Sequence, residues 1–143
     1  MKCKDVMKKW VVSVGPDDIV QLAAMKMREH GVGFLPVCGA DHKAIGVITD
    51  RDIAIRAVAE GKAASTKVAA VMTADAVFVS IDDELSVAED LMMRRQKSRI
   101  LCTDASGAVS GVISLSDLPG FESTRKSGAV FAKVAEREAH PSR

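Results

Sequence analysis

Apolar positions along this chain first alternate and then turn helical, and they do so twice in the same order. The stretch "VVSV" (Val11–Val14) is β-branched and bounded by turn residues, which predicts a short strand. Asp17 and Asp18 follow, placed to cap a helix start, where carboxylates suit exposed amides and the helix dipole. Val20, Ala23 and Met27 then recur at helical spacing and predict one buried stripe. Gly31 or Gly33 suits the end of that helix. "GFLPV" reads as a second strand, "CGADHKA" as a turn, and "IGVIT" as a third strand forming a hairpin with the second. "DRDIAIRAVAEG" reads as a further helix ended by Gly61. The order is β-α-β-β-α.

Sixty-five residues on, the same order returns without a gap. Val12 and Val14 fall on Val77 and Val79, Asp17 and Asp18 on Asp82 and Asp83, Ala23 on Ala88, and Met27 on Met92. "GVITDRD" (Gly46–Asp52) falls on "GVISLSD" (Gly111–Asp117), and "DVM" (Asp5–Met7) on "AVM" (Ala70–Met72). So many matches in one register mark an internal duplication. The second copy predicts a strand at "VFVS" (Val77–Ser80), a helix striped by Leu85, Ala88 and Met92, and a hairpin of "RILCT" and "SGVIS" around "DASGAV".

The expected organisation is repeat 1 over residues 1–60, a polar linker over 61–68 within "AEGKAASTK", repeat 2 over 69–120, and a tail over 121–143. Pro119 and Gly120 follow Asp117 closely, so the last helix of repeat 2 is expected to be short or absent. The tail predicts one amphipathic helix from about Gly128 to His140, with Val130, Phe131 and Val134 as its stripe and a charged face turned to solvent. A half of about 60 residues has a marginal core. The expected fold is therefore α+β, with two repeats packed sheet to sheet about a pseudo-twofold axis.

Composition narrows the function. In 143 residues the hydrophobic fraction is 48% and the charged fraction 27%, as in ordinary globular proteins. The net charge is +1, which gives no electrostatic case for nucleic acid or an anionic membrane. No apolar run reaches the ~20 residues that span a bilayer, and "MKCKDVMKKW" has no apolar signal region. Cys3, Cys38 and Cys102 make no CxxC pair, and read as reduced thiols in a cytoplasmic protein, two of them core residues. His30, His42 and His140 stand apart from any nucleophile or metal partner and read as turn or surface residues. There is no room for a catalytic barrel and no catalytic cysteine loop, so an enzyme is not expected.

The duplicated unit, with "DVM" at its start, "GFLPV" in its middle and "GVITDRD" near its end, resembles the CBS domain, named for cystathionine β-synthase. Two in tandem resemble a CBS pair, or Bateman module, over about residues 1–120. The resemblance implies a regulatory module, a sensor in signal transduction or metabolism. It would bind an adenosine-containing ligand such as AMP, ATP, NAD or S-adenosylmethionine, without catalysis, and form a homodimer. It also implies the alternative of a structural or interaction protein whose clefts stay empty and which acts through a protein partner.

For the first cleft the resemblance implies Thr49 and Asp52 as phosphate and ribose contacts, with Val12 and Pro36 beside them. A carboxylate can chelate two vicinal hydroxyls, and helix-start amides suit phosphate. Pseudo-twofold symmetry would bring Arg99 to this cleft, where its guanidinium can grip phosphate. The second, weaker cleft would carry Ser114, Asp117 and Val77, and would receive Phe34, the counterpart of Arg99. A Thr followed three residues later by an acid is also an ordinary helix cap, and Arg99 could equally form a surface ion pair.

Overall fold

The computed structural model describes residues 1–10, 12–120 and 124–136. In chain order the elements are α1 (Cys3–Val6), β1 (Lys8–Lys9), α2 (Val20–His30), β2 (Phe34–Cys38), β3 (Ala44–Thr49) and α3 (Asp50–Asp52). They continue with β4 (Phe78–Ser80), α4 (Leu85–Arg95), β5 (Arg99–Thr103), β6 (Val109–Ser114) and α5 (Thr124–Ala135). Short 3-10 turns lie at Val68–Ala70 and Leu115–Gly120. The expected mixed helix and strand architecture, built from two copies of one unit, is what the chain forms.

The duplication extends to the hydrogen bonds. β2 and β3 pair antiparallel with Phe34 opposite Thr49, and β5 and β6 pair with Arg99 opposite Ser114, each residue 65 positions from its counterpart. Both ladders shift register at the same place, between Val37 and Cys38 and between Cys102 and Thr103. The predicted stripes are buried: Val20, Ala23 and Met27 on α2, and Leu85, Ala88 and Met92 on α4.

The compact units do not follow the order of the repeats. One unit joins Met1–Trp10 to Val77–Arg143, and the other is Val11–Ala76. Each repeat's first segment therefore serves the unit of the other. In the first unit the Leu85 amide donates to the Met1 carbonyl at 2.8 Å, and in the second the Val20 amide donates to the Thr66 carbonyl at 2.8 Å. These bonds cap α4 and α2, whose first N–H groups would otherwise lack acceptors. The polar stretch before Val68 is thus tied to α2 of its own unit.

The glycine of each "GVI" motif permits this arrangement. A Cβ on Gly46 would lie 2.7 Å from the Thr73 carbonyl oxygen, and one on Gly111 would lie 2.7 Å from the Lys8 carbonyl oxygen. Only a residue without a Cβ lets the neighbouring backbone approach so closely. Through that gap Val47 and Thr73 exchange both backbone bonds at 2.8 and 2.9 Å, and β1 pairs with β6, Lys8 opposite Val112.

Four expectations change. Val11 of the strand expected at Val11–Val14 lies outside the described residues, and Val12–Val14 make one parallel bridge, Val14 to Val37, whereas β4 pairs with β5 over three residues. Pro16 explains the loss: its counterpart Ile81 donates its amide to the Thr103 carbonyl at 3.0 Å, and proline has no N–H to donate. The aspartate pairs do not cap the helices. Asp18 instead accepts from the Gly15 amide at 2.7 Å and Asp83 from the Ser80 amide at 2.9 Å, closing the turns before α2 and α4. The helix after Thr49 is α-helical only over α3, and widens to a π-helix over Ile53–Val58 before Gly61 turns left-handed at φ 69°. The tail helix starts at Thr124 rather than near Gly128, and its expected end at His140 lies outside the described residues.

Two core clusters result. One contains Val14, Leu35, Val37, Ile48 and the α2 stripe. The other contains Cys3, Val79, Ile100, Cys102, Ile113 and the α4 stripe, and α5 adds Val130 and Val134 to it. Phe131, expected in the same stripe, is 39% exposed. Each side chain's place is set by helical geometry: Val130 and Val134 are four apart and share a face, and Phe131 lies about 100° round from Val130. The last helix of repeat 2 is replaced, as expected, by the 3-10 turn at Leu115–Gly120.

Candidate functional site

Thr49 ends β3 and Asp52 closes the first turn of α3. The Asp52 amide donates to Thr49 Oγ1 at 3.0 Å, and the Thr49 amide donates to Asp52 Oδ2 at 3.0 Å. This reciprocal pair is a capping box. The capping use of the motif is therefore present in the fold. It fixes both side chains at the C-terminal edge of β3, with Asp52 only 8% exposed.

Two further groups face that carboxylate. The Thr73 hydroxyl lies 3.2 Å from Asp52 Oδ1 and 3.3 Å from Oδ2. Arg56, one turn along, places its Nε 3.9 Å from Oδ1, an ion pair rather than a hydrogen bond. Arg56 is held by its own bond to the Met72 carbonyl at 3.0 Å. A carboxylate has about four acceptor positions. The Thr49 amide and the Thr73 hydroxyl do not fill them, and Arg56 at 3.9 Å is beyond hydrogen-bond reach, so Asp52 keeps acceptor capacity.

The second copy repeats part of this plan. The Ser114 amide donates to Asp117 Oδ2 at 3.1 Å, as Thr49 does to Asp52. Where Thr73 stands in the first copy, the second has Lys8, whose Nζ lies 3.1 Å from Asp117 Oδ1. At this one position Asp52 meets a neutral hydroxyl and Asp117 a cation, while the cation beside Asp52, Arg56, comes from one turn further along its own chain segment. Thr73 and Lys8 were not among the residues expected from the sequence. The signal was available, since the two positions are 65 apart and each follows the "VM" of its repeat.

The remaining expected residues divide between the units. Val12, Phe34 and Pro36 belong with Thr49 and Asp52; Val77 and Arg99 belong with Ser114 and Asp117. Pro36 is buried in β2, its carbonyl accepting the Val14 amide at 3.1 Å. Val12 is half-buried against the core, and Val77 and Phe34 are 7% and 4% exposed. Arg99 opens β5 and is exposed. With Ser98, Ser114, Leu115, Ser116 and Phe131 it lines an open cavity of about 250 Å³.

The repeated hairpins, each ending in a hydroxyl residue with an aspartate three residues on, match a known sequence profile, that of the CBS domain, over residues 3–58 and 68–118. The chain belongs to the CBS domain family. The CBS domain-containing protein YhcV of Bacillus subtilis is 33% identical over 138 residues, 96% of this chain and 97% of that protein. Hypoxic response protein 1 of Mycobacterium tuberculosis is 37% identical over 97 residues, 64% of this chain and 68% of that protein. An inosine-5'-monophosphate dehydrogenase of Methanocaldococcus jannaschii is 35% identical over 117 residues, which is 82% of this chain but 23% of that enzyme.

Solved CBS structures agree. Hypoxic Response Protein I, crystallised with two coordinated zinc ions, superposes with a TM-score of 0.76 at 26% identity over 86% of this chain and all of that one. The CBS domain protein PAE2072 of Pyrobaculum aerophilum, complexed with AMP, superposes with a TM-score of 0.76 at 22% identity over 95% of this chain and 99% of that one. The CBS domain pair of protein MJ0100, in complex with 5'-methylthioadenosine and S-adenosylmethionine, gives a TM-score of 0.72 at 22% identity, over 82% and 91% of the two chains. At those identities the last two likenesses concern the fold. Among the described residues of this CBS chain no three His, Cys, Asp or Glu side chains cluster so as to hold a metal ion. Among the same residues no helix is long and apolar enough to cross a membrane.

Proposed function

We propose that this CBS pair is a regulatory module that binds an adenosine-containing ligand, of the AMP, ATP, NAD or S-adenosylmethionine class, and carries out no chemistry on it. The observation that supports this most is the Asp52 carboxylate: nearly buried, oriented by the Thr49 amide and Thr73 hydroxyl, yet with acceptor capacity left. Such a preset acceptor suits the vicinal hydroxyls of a ribose. Val12 and Pro36, which belong to the same unit, would stand beside it. Ser114 and Asp117, with Val77 and Phe34, form the second and weaker site, because Lys8 pairs with Asp117 at 3.1 Å, closer than the 3.9 Å between Arg56 and Asp52. Other proteins of this fold have been crystallised with AMP and with S-adenosylmethionine. The module acts as a cytoplasmic homodimer in signal transduction or metabolic regulation, through a shape change in itself or a protein partner.

The alternative is a structural or interaction protein with empty clefts. The capping box favours it to this extent: Thr49 and Asp52 already have a structural use. Titration calorimetry with AMP and adenosine separates the two. Binding of both ligands is expected, and Asp52→Ala should weaken the first site about ten- to a hundredfold for each, the loss of a hydrogen bond to a charged group. No heat with any adenine nucleotide would leave the interaction reading.

A further inference from the structure

The cavity beside Arg99 has a wall that lies outside the span matched by the CBS domain profile. Phe131 belongs to α5, which lies beyond the family-matched span ending at residue 118. α5 is fastened on its other side: Val130 and Val134 are buried in the core, and Lys126 Nζ lies 3.2 Å from Oε1 of the fully buried Glu89. That fastening leaves Phe131 partly exposed in the cavity's lining, together with the Arg99 guanidinium and the three serines Ser98, Ser114 and Ser116. A guanidinium amid hydroxyls recognises phosphate, and an exposed ring offers a face to an apolar or planar group. The volume, about 250 Å³, is below the roughly 300–1,000 Å³ of pockets that enclose a whole small ligand. It suits one end of a nucleotide.

We propose that this cavity takes the phosphate end of a nucleotide at the second site and that filling it clamps α5 onto its unit. The proposal rests on the nucleotide reading above and assigns Arg99 to the copy that contains it. A ligand held between Arg99 and Phe131 ties β5 to α5, so occupancy is converted into the docking of a helix that lies outside the family-matched span. α5 is then the element through which the second site would be read.

The test is hydrogen exchange of the α5 amides, with calorimetry in parallel, on the full chain with AMP or adenosine. AMP at about ten times its Kd should raise protection of residues 124–136 about tenfold, as expected for a ligand that binds only the docked helix. The gain should persist in Asp52→Ala, vanish in Arg99→Gln, and fall in both Phe131→Ala and Phe131→Leu; the second keeps an apolar side chain and guards against a simple loss of folding. Adenosine, lacking phosphate, should give little. If AMP binds with heat but α5 protection is unchanged, the proposal is overturned while the nucleotide reading stands. It is equally overturned if the gain survives Arg99→Gln. Absence of AMP binding overturns this proposal, and absence of binding by every adenine nucleotide overturns the reading it rests on as well.

Discussion

Thr73 and Asp52 meet at 3.2 Å, hydroxyl to carboxylate, across a backbone pairing that the glycine of the repeated motif makes possible. The counterpart pair, Lys8 and Asp117 at 3.1 Å, puts a cation where the first has a neutral hydroxyl. The two aspartates of the duplicated motif are therefore unequal before any ligand arrives.

This inequality can be measured. Thr73→Val keeps the shape and removes one hydrogen bond to a nearly buried carboxylate, which should cost about 1–2 kcal/mol in urea denaturation and be indifferent to salt. Lys8→Met breaks an ion pair whose lysine side chain is 71% exposed, and should cost no more than about 1 kcal/mol, disappearing as salt rises. A salt-sensitive loss at Thr73 or a large, salt-insensitive one at Lys8 would reverse the assignment.

Gly46→Ala should destabilise by about 1–3 kcal/mol, because the new Cβ meets a backbone oxygen at 2.7 Å that cannot swing aside. The effect should appear as a lower denaturation midpoint with the slope unchanged. A neutral result would show that the Val47–Thr73 pairing gives way easily.

Left-handed positions are shared unevenly between the repeats. Gly31 at φ 65° corresponds to Gln96 at φ 51°, and His42 at φ 63° corresponds to Gly107 at φ 86°. A side chain is disfavoured in that region by about 1 kcal/mol or more. Gln96→Gly and His42→Gly should each stabilise by up to about 1 kcal/mol in thermal melts, offset in part by the freer unfolded chain. The Gln96 amide reaches the Lys133 carbonyl at 3.5 Å and Glu136 at 3.4 Å, hydrogen bonds long enough to be weak, so removing them should subtract little.

Burial pushes the Cys102 thiol up to about 12 and, with the Asp83 and Glu84 charges adding, the Cys3 thiol up to about 11; burial also raises Cys38. These groups are neutral when protonated, and their folded pKa lies above that of an unfolded thiol, near 8.5. Their stabilising effect is full below about pH 8.5 and is lost as pH rises toward the folded values. Stability should therefore fall from about pH 9 upward, less steeply in Cys102→Ala. A thiol reagent at pH 8 should label half-buried Cys38 in the native protein, and Cys3 and Cys102 only after unfolding.

Much of this was legible in the sequence. The 65-residue offset located both hairpins and both stripes, because a period of 3.6 and a β-branched run each respond to one local neighbourhood. The capping use of Thr49 and Asp52 was legible too. What escaped lay in contacts between distant segments. Thr73 and Lys8 reach the aspartates only because the first segment of each repeat lies against β3 or β6 of the unit named for the other. Pro16 could have been read, since a missing N–H truncates a strand wherever it falls. The turns closed by Asp18 and Asp83 could not be told from helix caps, because the same carboxylate serves either two residues apart.

The exchange of first segments also orders events during synthesis. Val11–Ala76 is one continuous stretch and can close as soon as it has emerged from the ribosome. The other unit needs Met1–Trp10 and residues beyond Val77 together. Cys3 and Val6 must therefore wait unburied for partners such as Leu85 and Ile113, translated much later. At translation rates of about 5–20 residues per second that interval lasts several seconds. The newborn chain spends it with one half finished and a short apolar segment still unclaimed.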